Sequence, residues 1–497
     1  MLINELLQKA EISYSPSSLE EDLHITEICV DSRIIHASDL FVAIPCPQIM
    51  FNIQHAMSQG CRVILSTEEI CSELRNPEKE LMLIPVKSPR LALAKLCAVL
   101  YPKQPKVNVA ITGTNGKTSI VNLVRQIWES QRLAAASLGT LGLEVSSDVK
   151  FDKNFEIPKL TTLDPISLHK TLQNLSKQGI DHLAFEASSH GLDQYRLHGV
   201  KVKAAGFTNL TQDHLDYHLT MEKYLEAKLK LFSEVLDENG TAVLNFQSPY
   251  FKQLSEAVGS QSILSYGVDV PANIATSKIK STMDQLHFDL KINDKDFGEQ
   301  SVKLVGYFQI ENILCAIGLA IASGLSPEMV VKSLANLSYV TGRMEYIGMT
   351  QGEASIYIDY AHTPDALKHA LESLRSYTSG KLWVLFGCGG NRDVGKRSLM
   401  GKIANDLADN IIVTDDNPRD EDPSDIRKQV LKDCPKGLEI ENRGQAISMV
   451  LSQLQANDVL LIAGKGHETG QIIGDKVYPF DDRVEVLRHI GNDLRAV

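Results

Sequence analysis

The stretch Gly113-Thr114-Asn115-Gly116-Lys117-Thr118 holds residue types that handle the phosphates of a nucleotide. Glycines let backbone N–H groups approach phosphate oxygens, and a helix starting there adds partial positive charge. Lys117 can reach β and γ phosphates, and the Thr118 hydroxyl can ligate Mg²⁺. A tight turn alone would need neither side chain. Strict spacing for such loops puts a glycine where Ile111 stands, so this is a variant of the general pattern. Further candidates lie in four polar stretches: Tyr360-Ala361-His362, Gly387-Cys388-Gly389-Gly390-Asn391-Arg392, Asp415-Asp416-Asn417-Pro418-Arg419 and Gly464-Lys465-Gly466-His467-Glu468.

These residues need elements to position them. An apolar strand at Val107–Ile111 precedes the phosphate-binding stretch, and an amphipathic helix follows to about Ser130. Strand candidates Leu183–Ala187, Ala204–Asn209 and Ala242–Asn245 continue an α/β alternation to about Ser338. Before it, Tyr101-Pro102-Lys103-Gln104-Pro105 reads as a linker because two prolines discourage regular structure. After Gly342-Arg343-Met344-Glu345 a second series brings strands Ser355–Asp359, Leu382–Phe386, Ile411–Thr414 and Val459–Ile462. Each runs directly into one of the four polar stretches. Ligands of open parallel sheets bind beyond the carboxyl ends of the strands, so the four loops are expected to share one face and one ligand. The expected boundaries are 1–103, 104–340 and 341–497.

At 497 residues the chain is too long for one ordinary core. Its hydrophobic fraction of 43% and charged fraction of 23% are those of a globular protein, with no apolar run that could span a bilayer. Glu5 interrupts the apolar start and no cleavage site follows, so the expectation is a cytoplasmic protein without a membrane or secretory segment. The eight cysteines make neither a metal spacing nor a disulfide framework and are expected to be buried free thiols. A formal charge of −12 argues against nucleic acid as a partner.

The hexapeptide resembles the variant phosphate loop of the Mur ligase superfamily, and further matches follow in order: Glu186 in Phe185-Glu186-Ala187-Ser188-Ser189-His190-Gly191-Leu192, the stretch Asn209–His218, Lys228, Gly342-Arg343-Met344-Glu345 and Asp359-Tyr360-Ala361-His362-Thr363-Pro364. The resemblance implies three α/β domains: a small uridine-nucleotide-binding one, a central P-loop-type ATPase with a mainly parallel sheet, and a C-terminal Rossmann-like one. It also implies a chemistry. ATP phosphorylates a substrate carboxylate, and an amine attacks the acyl phosphate to form an amide. Lys117, Glu186, His214 and Lys228 are then the catalytic set. Thr118 and Glu186 would hold one Mg²⁺, and His214 would serve a second together with Lys228 carbamylated as N6-carboxylysine. A bland reading makes Lys228 a surface lysine on a helix. Zinc at His214 and His218 is disfavoured, because HExxH is absent and no third ligand is evident. Asn312, Arg343 and Asp359 complete the implied ATP contacts with Gly113, Thr114, Asn115, Gly116, Lys117 and Thr118. Gln309 stands where the family commonly has Asn.

Val30-Asp31-Ser32-Arg33 and Asp39–Ile44 resemble the uridine-nucleotide domain of the branch that adds diaminopimelate or lysine. Ser32, Thr161, Thr162, Ser188, Gln194 and Arg196 match its UDP-muramoyl-dipeptide site, although Leu160 and Leu163 depart from the pattern around the threonine pair. Asp416-Asn417-Pro418-Arg419 matches the motif of the enzymes that take meso-diaminopimelate, with Arg392, Gly464 and Glu468 as its other implied contacts. Lysine lacks the distal carboxylate that an arginine fork is shaped to demand. The implied function is a monomeric ligase that adds meso-diaminopimelate to UDP-N-acetylmuramoyl-L-alanyl-D-glutamate in peptidoglycan precursor synthesis. The rivals are a folylpolyglutamate-type ligase, which would lack the uridine-binding domain, and a nucleotide-controlled binding protein that does no ligation.

Overall fold

The computed structural model describes residues 1–13, 23–74, 81–152 and 157–490. Residues 491–497 of the expected third unit lie outside them. Among the described residues the strands form three main sheets and one small hairpin. The first sheet is parallel, in the order Ile28–Cys29, Leu40–Val42, Val63–Ser66, Met82–Pro85. Its last helix, Pro89–Leu100, shows why local sequence sets its bounds. Ser88 caps it by accepting from Leu91 N, Pro89 occupies the first turn, and Pro102 follows its end.

The second sheet carries a parallel block in the order Ala135–Gly139, His182–Glu186, Val107–Thr112, Val202–Phe207, Leu236–Asn245, Ser262–Val268, Ile274–Ser281. Antiparallel strands close both edges. The chain leaves Val107–Thr112 toward one side of the sheet and later returns to its other side at Val202–Phe207, so a crevice opens beyond the carboxyl end of that strand. Its residues Val109, Ala110 and Ile111 are fully buried because helices cover both faces, giving a continuous apolar run instead of an alternating one. Helix Lys117–Ser130 packs Ile120, Leu123, Val124, Ile127 and Trp128 onto one face. Burying each such aliphatic side chain contributes roughly 1.5–3 kcal/mol, enough to fix the helix and the loop that begins it.

The third sheet runs Glu345–Met349, Ser355–Asp359, Val459–Ala463, Leu382–Phe386, Asn410–Val413, Gly437–Glu439, with only the first pairing antiparallel. The four strands expected from sequence are therefore neighbours whose carboxyl ends lie on one edge. A hairpin, Gly470–Ile473 with Lys476–Pro479, stands beside that edge. No helix among the described residues is long and apolar enough to cross a membrane. Seven cysteines are buried as expected, but Cys46 is exposed, since it lies in the loop before helix Ile49–Ser58.

Candidate functional site

The phosphate-binding stretch joins Val107–Thr112 to helix Lys117–Ser130 at the crevice. Gly113 and Gly116 have φ of 143° and 88°, and a Cβ on Gly113 would lie 1.8 Å from Thr208 Oγ1. Both the conformation and the close approach demand glycine. Lys117 Nζ donates to the carbonyls of Gly113 and Thr114 at 2.9 and 2.8 Å. Asn115 donates through its side chain to Asp365 Oδ2 at 3.2 Å and through its backbone N to Asn209 Oδ1 at 2.9 Å.

Glu186 ends the neighbouring strand, buried, and its Oε1 accepts from Thr118 Oγ1 at 2.9 Å. Adjacent ligands of an octahedral Mg²⁺ with oxygens at about 2.1 Å stand about 3 Å apart, so this hydroxyl–carboxylate pair has the spacing and the hard oxygen donors of a Mg²⁺ site. Two residues without a role in the sequence reading position the carboxylate. Thr140 donates its backbone N to Glu186 Oε1 at 2.8 Å, and a Cβ on Gly139 would fall 2.2 Å from the same oxygen. A strand ending in glycine carries no sequence signal of that role.

Lys228 is not a surface lysine. It is 1% exposed, because helix Met221–Lys230 turns it inward to donate to Gly113 O at 2.7 Å. Burial, with the charge of Lys117 nearby, holds its pKa well below that of a free lysine, while Asp213 opposes the shift. The helix passes straight into a π-helical turn, Leu231–Val235, a distortion frequent at functional sites. His214 lies in a left-handed conformation with φ of 53°. Its ring and the Lys228 ammonium both pack against Tyr224. An ammonium there would repel a divalent cation; a carbamate would supply oxygens to one. His218 is spent elsewhere, paired with Ser189 Oγ at 2.9 Å.

Thr161, Thr162, Ser188, Gln194 and Arg196 come together beside Glu186. Thr162 Oγ1 donates to Glu186 O at 2.8 Å and accepts from Ser188 N at 2.9 Å. Arg196 donates to Thr162 O at 2.7 Å and to Gln194 Oε1 at 2.8 Å. Of the departures noted in sequence, Leu163 is buried in the core and Leu160 is exposed. Ser32 lies apart from this group, in a cleft of about 690 Å³ lined by Arg33, Phe51, Asn52 and His55 among others. The helix at residues 89–100 connects the two regions, with Arg90 Nη1 donating to Gln194 Oε1 at 3.4 Å.

On the other side of the phosphate-binding stretch, Asn312, Arg343 and Asp359 line one cavity with Asn115 and Gly116. Gln309 accepts from Asn312 Nδ2 at 2.8 Å and so orients its amide. Asp359 accepts from Met344 N and Ala361 N at 2.5 and 2.8 Å; burial raises its pKa, and Arg343 opposes the rise. Arg343 Nη2 donates to Thr118 Oγ1 at 2.9 Å, tying the third sheet to the second.

The four polar loops meet. Arg419 Nη1 donates to Gly390 O at 2.8 Å, Asn417 Nδ2 donates to Glu468 Oε2 at 2.8 Å, and a Cβ on Gly464 would lie 2.9 Å from Asp416 Oδ2. Arg392 is exposed beside Arg419, and its charge together with burial lowers the pKa of that guanidinium. Burial is the larger cause. Pro418 is buried in the bend between them. Lys465, which the sequence placed in a polar stretch without a role, is fully buried and donates to both Asn417 Oδ1 and Glu468 Oε2, at 3.2 and 2.9 Å. The hairpin also joins in, with Ile472 N donating to Asn417 Oδ1 at 2.9 Å and Gln471 Nε2 to Asp416 O at 2.7 Å. Between these loops and Thr140 lies a cleft of about 700 Å³, with Leu143, Ile472 and Val477 on its apolar walls.

Comparisons with known proteins agree with this arrangement. Residues 111–320 match the Mur ligase middle domain, and residues 342–466 match the Mur ligase, glutamate ligase domain. The UDP-N-acetylmuramoyl-L-alanyl-D-glutamate--2,6-diaminopimelate ligase of Bradyrhizobium diazoefficiens is 42% identical over 473 residues, covering 93% of this chain and 94% of that protein. Its namesake from Rickettsia conorii is 39% identical over 96% of this chain and 98% of its own length. A solved structure of a ligase of that name is 31% identical, with a TM-score of 0.69 and 98% of each chain covered. MurF from Thermotoga maritima, solved with ADP, shares the fold at a TM-score of 0.61 and 17% identity.

Proposed function

The chain belongs to the Mur ligase family, and from that membership we propose that it uses ATP to join meso-diaminopimelate to UDP-N-acetylmuramoyl-L-alanyl-D-glutamate in cytoplasmic peptidoglycan precursor synthesis. One observation carries the reading to this substrate pair: the cleft bounded by Thr140 on the phosphate side is bounded by Asn417 and Glu468 on the other. A phosphorylated carboxylate and an incoming amine can therefore meet in it.

On this reading a glutamyl carboxylate oxygen attacks the γ-phosphorus and ADP leaves. The amine then attacks the acyl carbon, phosphate leaves, and the amine gives up a proton as the amide forms. Gly113, Thr114, Asn115 and Gly116 cradle the phosphates, Lys117 offsets the charge of the transition state, and Asn312, Arg343 and Asp359 hold the nucleotide. Thr118 and Glu186 would hold one Mg²⁺, and His214 with carbamylated Lys228 a second; such ions would offset charge between two polyanions. Ser32 contacts the uridine moiety, while Thr161, Thr162, Ser188, Gln194 and Arg196 orient the muramoyl dipeptide. Arg392 and Arg419 take the distal carboxylate of the amino acid, Glu468 its distal ammonium, and Asp416, Asn417, Pro418 and Gly464 shape the pocket. The working units are 1–103, 104–340 and 341–497, acting as a monomer.

The test is phosphate release from ATP by the purified protein. Release that requires both UDP-muramoyl dipeptide and diaminopimelate is expected, and release independent of either would overturn the proposal. The binding-protein alternative predicts no ligated product at all.

A further inference from the structure

Resting on the amine-site reading above, we propose that Glu421 is a positioning residue for amine specificity, clasping the two loops that carry Arg392 and Arg419 into one anion-binding pair.

Neither Arg392 nor Arg419 belongs to a helix or strand. Arg419 takes a left-handed backbone with φ of 53°, and Asn391, next to Arg392, has φ of 52°. Asparagine visits that conformation readily, but an arginine adopts it only when its surroundings impose it. The hairpin holds the Arg419 backbone itself, with Arg419 N donating to Ile472 O at 3.1 Å and Gly474 N to Arg419 O at 2.8 Å, and Glu421 holds the turn that follows. Its backbone N closes the turn by donating to Pro418 O at 3.1 Å. Its Oε1 accepts from Asn391 N at 2.5 Å and from Arg397 Nη2 at 2.9 Å, and its Oε2 accepts from Arg397 Nη1 at 2.8 Å. One carboxylate thereby fixes the end of the Arg419 turn and the residue preceding Arg392.

Arg397 anchors the clasp in the core. It is 0% exposed and also donates to Gln429 Oε1 at 2.8 Å and Gly389 O at 3.2 Å. A fork held at both nitrogens by one carboxylate fixes direction as well as distance. The loops are closed further by reciprocal bonds between Asn391 and Asp420, and Gly390 passes so near that a Cβ would lie 1.9 Å from Pro418 O. Arg419 Nη1 on Gly390 O and Gly390 N on Asn417 O also join the loops, and the Glu421 clasp adds the bond to Asn391 N that sets where Arg392 stands against the repulsion of Arg419. Both Glu421 carboxylate oxygens are engaged by Arg397 and Asn391, which makes its role one of positioning and not of contact.

The experiment is steady-state ligation by the full chain and its Glu421→Ala and Glu421→Gln variants, with diaminopimelate and with lysine, and with each of the other substrates varied in turn. For Glu421→Ala the Michaelis constant for diaminopimelate should rise about tenfold, while kcat and the constants for ATP and muramoyl dipeptide stay within about twofold. The preference for diaminopimelate over lysine should shrink by a similar factor. Glu421→Gln keeps one oxygen for Asn391 N and Arg397 Nη2 but sets an amide N–H against Arg397 Nη1, so its Michaelis constant should fall between those of the parent and Glu421→Ala. An unchanged constant and preference in Glu421→Ala would overturn the inference. So would a parallel rise in all three constants with a lowered Tm, the mark of a general stabiliser. A parent enzyme that ligates no diaminopimelate would overturn the functional reading, whereas a competent parent matched by Glu421→Ala overturns only the clasp.

Discussion

Lys117 and Lys228 end on the same atom: both ammonium nitrogens donate to the carbonyl of Gly113, at 2.9 and 2.7 Å. Two buried cations on one acceptor are mutually unfavourable, and each lysine lowers its pKa chiefly through burial. The arrangement favours a neutral Lys228 amine, the form that adds to carbon dioxide. A carbamate then turns a repulsive neighbour of Lys117 into an attractive one.

Lys228→Ala is therefore expected to fold and to lose at least about 10²-fold in activity, with partial rescue by acetate or another small carboxylate. Intact mass of the active parent should show one added carbon dioxide. A fully active enzyme carrying only the free amine would refute the modification.

Gly139→Ala tests the Glu186 geometry from outside the recognised motifs. Its Cβ would fall 2.2 Å from Glu186 Oε1, so the carboxylate must swing away from Thr118. Activity should fall about 10²-fold, and half-saturation should need more Mg²⁺. Parent-like Mg²⁺ dependence would show that Glu186 does not serve the metal.

For Arg419 the expected readout is specificity. A site built for the distal carboxylate leaves a guanidinium unpaired when lysine binds, so discrimination against lysine should reach about 10³-fold in kcat/KM. Arg419→Lys keeps charge but loses the fork and should raise KM for diaminopimelate; Arg419→Ala should narrow the gap between the two amines. Equal use of both amines by the parent would make the loop structural.

His169 sets an acid limit on stability. It is 1% exposed, it pairs with His198 O at 3.2 Å, and burial lowers its pKa from 6.5 to about 4. Between those values the unfolded chain binds the proton and the folded one does not, so stability rises with pH through this window. As pH falls from 6.5 toward 4 a contribution on the order of 3 kcal/mol is lost. His169→Gln keeps a donor for the carbonyl but cannot titrate. Its urea midpoint should fall less than the parent's between pH 7 and about pH 4.5, and equal declines would exclude His169 as the cause.

The sequence by itself determined eight buried parallel strands and the polar loops that follow those of the third sheet, because apolar runs bounded by Gly, Pro and Asp are local signals; the first sheet, the edge strands and the hairpin carry weaker patterns. Strand Ser355–Asp359 lies where the sequence placed it, and Val107–Thr112 extends one residue beyond the expected end. The motifs were legible for the same reason: Gly113–Thr118 and Asp416–Arg419 are contiguous. Tertiary structure alone decided what surrounds them. Lys228 sits in a sequence that reads as an exposed helical face, and only packing against Tyr224 and a carbonyl 115 positions away buries it. Gly139 matters because Glu186 comes to rest against it, and Glu421 because Arg397, 24 positions earlier, is walled into the core behind it. Such pairings arise when sheets order their strands out of sequence, bringing together residues whose separation along the chain leaves no periodicity to read.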